Sequence, residues 1–175
     1  MVMPDLGRDS MQAKPNALIW LALSALVIAL DQITKHIAIT QLEPYQPHPV
    51  IPGLLNWTLA FNPGAAFSFL RDAGGWQRWL FSGLAIAVCC ALGVWLRRID
   101  RAEWRTALPL ALVIGGALGN LIDRLRVGHV TDFIEVYHQQ WSWPAFNVAD
   151  SAISVGAVLL IVFGLGGRKA ARGSG

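Results

Sequence analysis

Charge is scarce in this chain of 175 residues: 14% of them are Asp, Glu, Lys or Arg, where a soluble domain carries about 25%. The hydrophobic share is 54%, more than one core of this size needs, so the surplus must face lipid rather than water. Cysteine is almost missing. Cys89 and Cys90 are adjacent inside an apolar run, where two neighbouring thiols make a strained disulfide and a poor zinc site; they read as small apolar helix residues. No HExxH pattern occurs, and His36, His48, His129 and His138 are scattered, which argues against a metal-dependent hydrolase. Ser68 and Ser151 have no evident His or Lys partner, which argues against a serine nucleophile. Although the net charge is +3, no basic stripe with interleaved aromatics exists, so nucleic acid is not a partner to expect. No internal repeat is visible.

What is present is long uncharged sequence. Pro15–Leu30, Trp79–Leu96, Thr106–Ile122 and Ser151–Gly167 carry no charge, and with their flanks each approaches the roughly 20 residues that cross hydrocarbon. The expected fold class is a mainly α membrane protein: four transmembrane helices, about 15–36, 77–97, 104–124 and 149–167, with a small extracytoplasmic β-sheet element. Residues 15–167 form a single membrane-embedded domain between polar tails 1–14 and 168–175. Lys14 before the first apolar run imitates a signal peptide, but the run continues into Asp31-Gln32-Ile33-Thr34-Lys35 with no small-residue cleavage site, so it reads as a retained helix. The sheet would come from segments 37–76 and 125–148. The first holds Pro44, Pro47, Pro49 and Pro52, then an apolar, aromatic run from Leu54 to Leu70 broken at Asn62-Pro63-Gly64; the second holds the β-like run Val130–Tyr137.

Orientation follows from the cations. Arg8, Lys14, Arg97, Arg98, Arg101, Arg105, Arg168, Lys169 and Arg172 fall on one side; Lys35, Arg71, Arg78, Arg124 and Arg126 fall on the other. The first side is cytoplasmic by the positive-inside rule. The ionisable residues at membrane depth then collect at the outer face: Asp31 and Lys35 end the first helix, Asn120, Asp123 and Arg124 end the third, Asp150 begins the fourth, and Asp132 lies in the intervening segment. Such residues mark a functional site by default. Asp31 and Lys35, four apart, can pair on one helix face, which by itself is also how a helix end is anchored. Gly115, Gly116 and Gly119 suit close helix packing. Asp132 and Asp150 have no cation beside them in sequence. Two carboxyls buried together cannot both ionise easily, so one holds a proton, and the pair can split the roles of acid and base in peptide cleavage. Read singly, Asp150 could instead cap the fourth helix and Asp132 could be a solvated loop acid. His129 with Asp132 makes only a thin metal set.

Five blocks carry a more specific signal: Asp31-Gln32-Ile33-Thr34-Lys35, Asn62-Pro63-Gly64-Ala65-Ala66-Phe67-Ser68, Gly119-Asn120-Leu121-Ile122-Asp123-Arg124, Val130-Thr131-Asp132-Phe133-Ile134 and Phe146-Asn147-Val148-Ala149-Asp150-Ser151. In this order they resemble the lipoprotein signal peptidase family (signal peptidase II) over residues 17 to 165. Pro63 departs mildly, since Thr is common there. The resemblance implies a membrane aspartic endopeptidase that removes signal peptides from diacylglyceryl-modified prolipoproteins, cutting just before the lipidated cysteine. It implies Asp132 and Asp150 as catalytic residues, and Asp31, Lys35, Asn62, Gly116, Asn120, Asp123, Arg124 and Asn147 as residues that support the site or bind substrate. It implies no metal or other cofactor. The expected partners are the prolipoprotein and membrane lipid, with the protein itself a monomer in the bacterial inner membrane. Two rival readings are a small proton-coupled carrier, which would bind near the bilayer midplane and show repeats, and a lipid-modifying transferase. Arg124 and Lys35 are the expected partners of Asp123 and Asp31.

The cation asymmetry makes a direct prediction. Reporter fusions after Gly175 should report the cytoplasm, and fusions near His48 or His138 the opposite side. A C-terminus on the outer side would move the acidic residues to the cytoplasmic face.

Overall fold

The computed structural model describes residues 15–64 and 75–172, with side chains to residue 164. The expected apolar run beyond Gly64, the tail 1–14 and residues 173–175 lie outside these residues, whereas the start of the expected C-terminal tail, 168–172, continues the last helix. A short 3-10 turn, Ala17–Trp20, opens on Asn16, whose side chain accepts from the Leu18 N–H. It leads into α1 (Leu21–Gln41), followed by β1 (His48–Ile51), β2 (Leu55–Asn62), α2 (Trp76–Arg98), α3 (Trp104–Val127), β3 (Val130–His138), β4 (Trp141–Ser142) and α4 (Val148–Arg172). Three helical stretches are long and apolar enough to cross a membrane, Ala17–Gln41, Trp76–Arg98 and Trp104–Val127; α4 adds a shorter apolar stretch, Val148–Gly164. Their outward side chains, among them Leu26, Leu30, Trp79, Leu84 and Ile161, are about half exposed or more, as lipid-facing residues should be.

α1 runs past the end that its charge pattern suggested, on to Gln41. Its last turns are held from outside: Ala38 is buried in a small core with Leu59 of β2 and Phe133 of β3, so the helix continues beneath the sheet after leaving the apolar layer. Thr34 and Thr40 return their hydroxyls to the carbonyls of Leu30 and His36 at 2.8 and 3.0 Å, so both hydroxyls are met within the helix. The four strands form one antiparallel sheet in the order β1-β2-β3-β4. A second core, of Ala17, Leu96, Ala107, Leu110 and Ile114, fills the opposite end of the bundle.

α3 is the central helix, and α1, α2 and α4 all pack on it. The sequence permits this because α3 is stripped of side chain where neighbours cross. A Cβ at Gly115 would meet the backbone of Ser24 and the Val27 side chain of α1 at 2.9–3.0 Å. A Cβ at Gly116 would collide with the Ala149 carbonyl of α4. Ser24 uses the close approach to donate to the Ala111 carbonyl at 2.7 Å, a helix-to-helix hydrogen bond of the kind small polar residues make in membranes.

Gly116→Ala should therefore force α3 and α4 apart. Overpacking of this kind costs about 1–3 kcal/mol, so the unfolding midpoint in detergent should drop. Gly83→Ala, where an added Cβ would meet nothing within 4 Å, should be neutral or slightly stabilising through helix propensity. Equal midpoints for the two variants would remove close approach as the reason for Gly116.

Candidate active site

Lys35 is the hub of the polar layer between bundle and sheet. Its side chain is almost fully buried, and Nζ lies 2.8 Å from Asp31 Oδ2 and 2.9 Å from Asp123 Oδ2. Its third donor reaches Asn120 Oδ1 at 2.9 Å. All three ammonium protons are thus matched, the condition under which a buried cation is tolerated. The remaining carboxylate oxygens are also met. Asp31 Oδ1 accepts from the Ala149 N–H of α4 at 2.9 Å, and Asp123 Oδ2 accepts from the Thr131 N–H of β3 at 3.1 Å. Gln32 Nε2 reaches Asp123 Oδ1 at 2.9 Å. Gly119 makes room for this group, since a Cβ there would sit 2.8 Å from Asp31 Oδ2.

The expected pairing of Arg124 with Asp123 does not occur. Asp123 pairs with Lys35, and Arg124 makes no ion pair among the described residues. Its guanidinium carbon lies 5.4 Å from the Phe81 ring centroid, and its Nε is buried without a hydrogen-bond partner among the described residues. The reason is angular: neighbours in a helix are about 100° apart, so Asp123 and Arg124 cannot look the same way. Asp123 faces α1 and Arg124 faces α2.

Two asparagines connect this cluster to the other two acids. Because Lys35 can only donate, Asn120 must turn its oxygen to it and its Nδ2 to Asp150 Oδ1, 2.7 Å away. Asn147, fully buried, has its orientation fixed in the same manner by a backbone donor: its Oδ1 accepts from the Asp150 N–H at 2.8 Å. Its Nδ2 is therefore turned to Asp132 Oδ1, at 2.7 Å, and also lies 3.1 Å from Asn120 Oδ1. Asp150 Oδ2 accepts from the Asn147 N–H at 3.3 Å. Asn147 and Asp150 are thus the N-cap and third residue of a reciprocal capping box at the start of α4. Asp150 does help cap the helix, as its lone reading allowed, though from the third position and not as the N-cap.

Asp132 is no solvated loop acid: it is buried on β3, 2% exposed. An irregularity of β2 decides what it faces. Trp57 pairs with Ile134, yet Ala60 pairs with Asp132, so β2 spends one more residue than β3 over this stretch. A regular ladder would set Leu59 and Phe61 on the Asp132 face; the bulge sets Ala60 and Asn62 there instead. From that face the Asn62 side chain favours the ionised Asp132 carboxylate. Burial first, and then the Asp150 carboxylate, push the Asp132 carboxyl up to about 7, while Asn62, Asn147 and the Lys35 charge pull it the other way. Beside Asp150 opens a cavity of about 420 Å³ lined by Trp143, Phe146, Asp150, Ser151, Ser154 and Val155.

Asp31, Lys35, Asn120, Asp123, Asp132, Asn147 and Asp150 are thus joined in one network of ion pairs and hydrogen bonds, Asn62 stands beside Asp132, and Arg124 remains outside it, against Phe81. Gly116 contributes by packing alone. Gln32 and Thr131 belong to the network too and were not singled out. Gln32 sits next to Asp31 and off the Asp31–Lys35 face, so only the passage of α3 alongside reveals it; Thr131 acts through its backbone, which no side-chain pattern records.

The class that the fold and site define is a helical protein with membrane-length apolar helices and two linked buried acids at one end of its bundle. Comparison with known proteins makes this specific. The family model for signal peptidase (SPase) II matches residues 23–165. A lipoprotein signal peptidase of Xanthomonas axonopodis pv. citri is 56% identical over 89% of this chain and 91% of its own, and one of Xylella fastidiosa is 58% identical over 82% and 86%. A solved bacterial membrane enzyme, determined by the in meso method at 2.3 Å, superposes with a TM-score of 0.76 at 31% identity, covering 87% of this chain and 92% of its own. The chain belongs to the signal peptidase II family and is a membrane peptidase. The carrier and transferase readings find no support in these relatives.

Lys35→Met should be the most damaging change in the layer, because it strands two buried carboxylates. Removing one partner of a buried pair costs about 3–5 kcal/mol, enough to prevent accumulation of folded protein. Arg124→Ala, which breaks no ion pair among the described residues, should accumulate normally. Comparable loss of folded protein in both variants, measured by detergent-solubilised yield and unfolding midpoint, would refute this division of roles.

Proposed function

We propose that the chain is an aspartic endopeptidase that removes signal peptides from diacylglyceryl-modified prolipoproteins, cutting before the lipidated cysteine, with Asp132 and Asp150 as its catalytic pair. The observation that carries the proposal is the bridge through Asn147, which donates to Asp132 and shares a reciprocal capping pair with Asp150. Two acids held this close, one of them deeply buried, favour the state with a single proton between them. A water held by the pair loses a proton to the ionised carboxylate as its oxygen attacks the scissile carbonyl carbon. The protonated carboxyl gives its proton to the carbonyl oxygen. The tetrahedral diol then collapses: the C–N bond breaks, the proton taken from water passes to the leaving cysteine nitrogen, and the second carboxyl recovers its own. No covalent intermediate and no cofactor is required.

Asn120 and Asn147 act as positioning residues, each presenting an N–H donor to one acid. Asn62 supports Asp132 from the sheet, and the Arg124 charge, which acts on both acids and is in no ion pair among the described residues, can meet substrate. The location at one end of the bundle suits a substrate whose signal helix and acyl chains stay in the bilayer. With both termini in the cytoplasm of a monomer in the inner membrane, the pair faces the extracytoplasmic side, where the mature lipoprotein emerges.

Asp132→Asn and Asp150→Asn should each fold and bind lipidated peptide yet lose cleavage by about 10²–10⁴-fold or more; the double variant should be little worse than either single one, because the two act as a unit. The wild-type enzyme needs the shared proton. An Asp132 carboxyl near 7 means that proton is lost as pH rises through that value, so kcat/KM should decline on the alkaline side, with an apparent constant that belongs to the pair. A single Asn variant with near wild-type turnover would end the proposal.

A further inference from the structure

A peptide bond inside a membrane helix is a poor target for water, because its carbonyl is already hydrogen-bonded and neighbouring turns cover it. On the peptidase reading above, on which this inference rests, the signal peptide must be extended where it is cut. Unwinding frees backbone N–H and C=O groups at a depth where water is scarce, and something must meet them.

Residues 143–146, which lead into α4 and the acid pair, offer such a partner. Phe146 is bound to β3 through both of its backbone groups: its N–H donates to the Ile134 carbonyl at 3.0 Å, and its carbonyl accepts from Ile134 and Phe133 at 2.9 and 3.1 Å. The Trp143 N–H donates to the Val136 carbonyl at 2.8 Å. Pro144 has no N–H to place. Between them Ala145, half-buried, has neither its N–H nor its carbonyl bonded among the described residues. Since both groups of Phe146 face β3, the pleat of an extended chain turns those of Ala145 the other way. The flanking Trp143 and Phe146 line the cavity that also contains Asp150.

We propose that Ala145 is a substrate-binding subsite that takes one extended residue of the signal peptide as an added strand. Its N–H donates to that residue's carbonyl and its carbonyl accepts that residue's N–H, the exchange of a hydrogen-bonded antiparallel pair. The chain is thereby laid along the Trp143–Phe146 edge towards Asp150, and the adjoining cavity receives an apolar side chain of the signal peptide. The pairing is blind to side chains, so the edge can serve many prolipoproteins, and the cavity adds the selectivity.

The test is an amide-to-ester scan of a diacylglyceryl-modified signal peptide with the wild-type enzyme, one backbone N–H replaced by oxygen at a time, the scissile amide left intact. One position should lose about tenfold to a hundredfold in kcat/KM, the range for an unmet backbone partner, while the residues immediately before and after it stay within about twofold. Ala145→Pro, which removes the enzyme's donor and keeps its carbonyl, should raise KM about tenfold at nearly unchanged kcat; should that variant not fold, the peptide scan alone decides. If the parent peptide is cleaved and every ester substitution is tolerated, or losses are spread evenly, the subsite is wrong although the peptidase reading stands. If the parent peptide is not cleaved at all, it is the peptidase reading that fails.

Discussion

The ammonium of Lys35, buried against Asp31 and Asp123, fixes the relative position of everything around it. A lone buried charge of either sign is prohibitive, and two carboxylates with one cation are acceptable only when every other donor and acceptor is also met. That requirement draws in the Ala149 N–H from α4, the Thr131 N–H from β3 and the Asn120 amide from α3. One helix of the bundle thus ties down the other two that border the site and the strand that crosses it. The same constraint sets chemistry at a distance. With Lys35 able only to donate, the Asn120 amide has one orientation, and that orientation presents an N–H to Asp150. Charge at the back of the site is converted into a hydrogen-bond direction at the front.

The glycines of α3 belong to the same economy of space. Gly115 and Gly116 let α1 and α4 come close enough for carboxylate and amide to meet directly, and Gly119 admits the Asp31 carboxylate itself. A larger residue at any of these would leave the polar layer stretched. Packing in the apolar part of the bundle and satisfaction of the polar layer are therefore one problem, solved along a single helix.

Much of this was legible in the sequence. The apolar runs, their capping ionisable residues and the spacing of Asp31 and Lys35 place a polar layer at one end of a helical membrane protein, and the five blocks in order point to the family. What stayed hidden had to do with direction. Asp123 and Arg124, neighbours in sequence, read as partners although a helix separates their faces. Gln32 lies inside a quoted block and still escaped, because its role depends on where α3 passes. The capping box of Asn147 and Asp150 resolves an ambiguity that a single residue could not: the same carboxylate that closes the start of α4 lies in the acid pair, one oxygen turned to each task.

The extra residue in β2 makes the site a matter of parity. Between Trp57 and Asn62 the chain must count odd against even, relative to β3, for an amide and not a phenyl ring to stand before Asp132. Insertions or deletions there cannot drift by single residues the way surface loops do, since each step exchanges the two faces of the strand. The edge strand β1 holds no site residue, so the turn that joins it to β2 carries no such obligation. Length variation in this sheet should therefore collect at its far rim, while the short stretch of β2 before the acid stays fixed in count even where its side chains change.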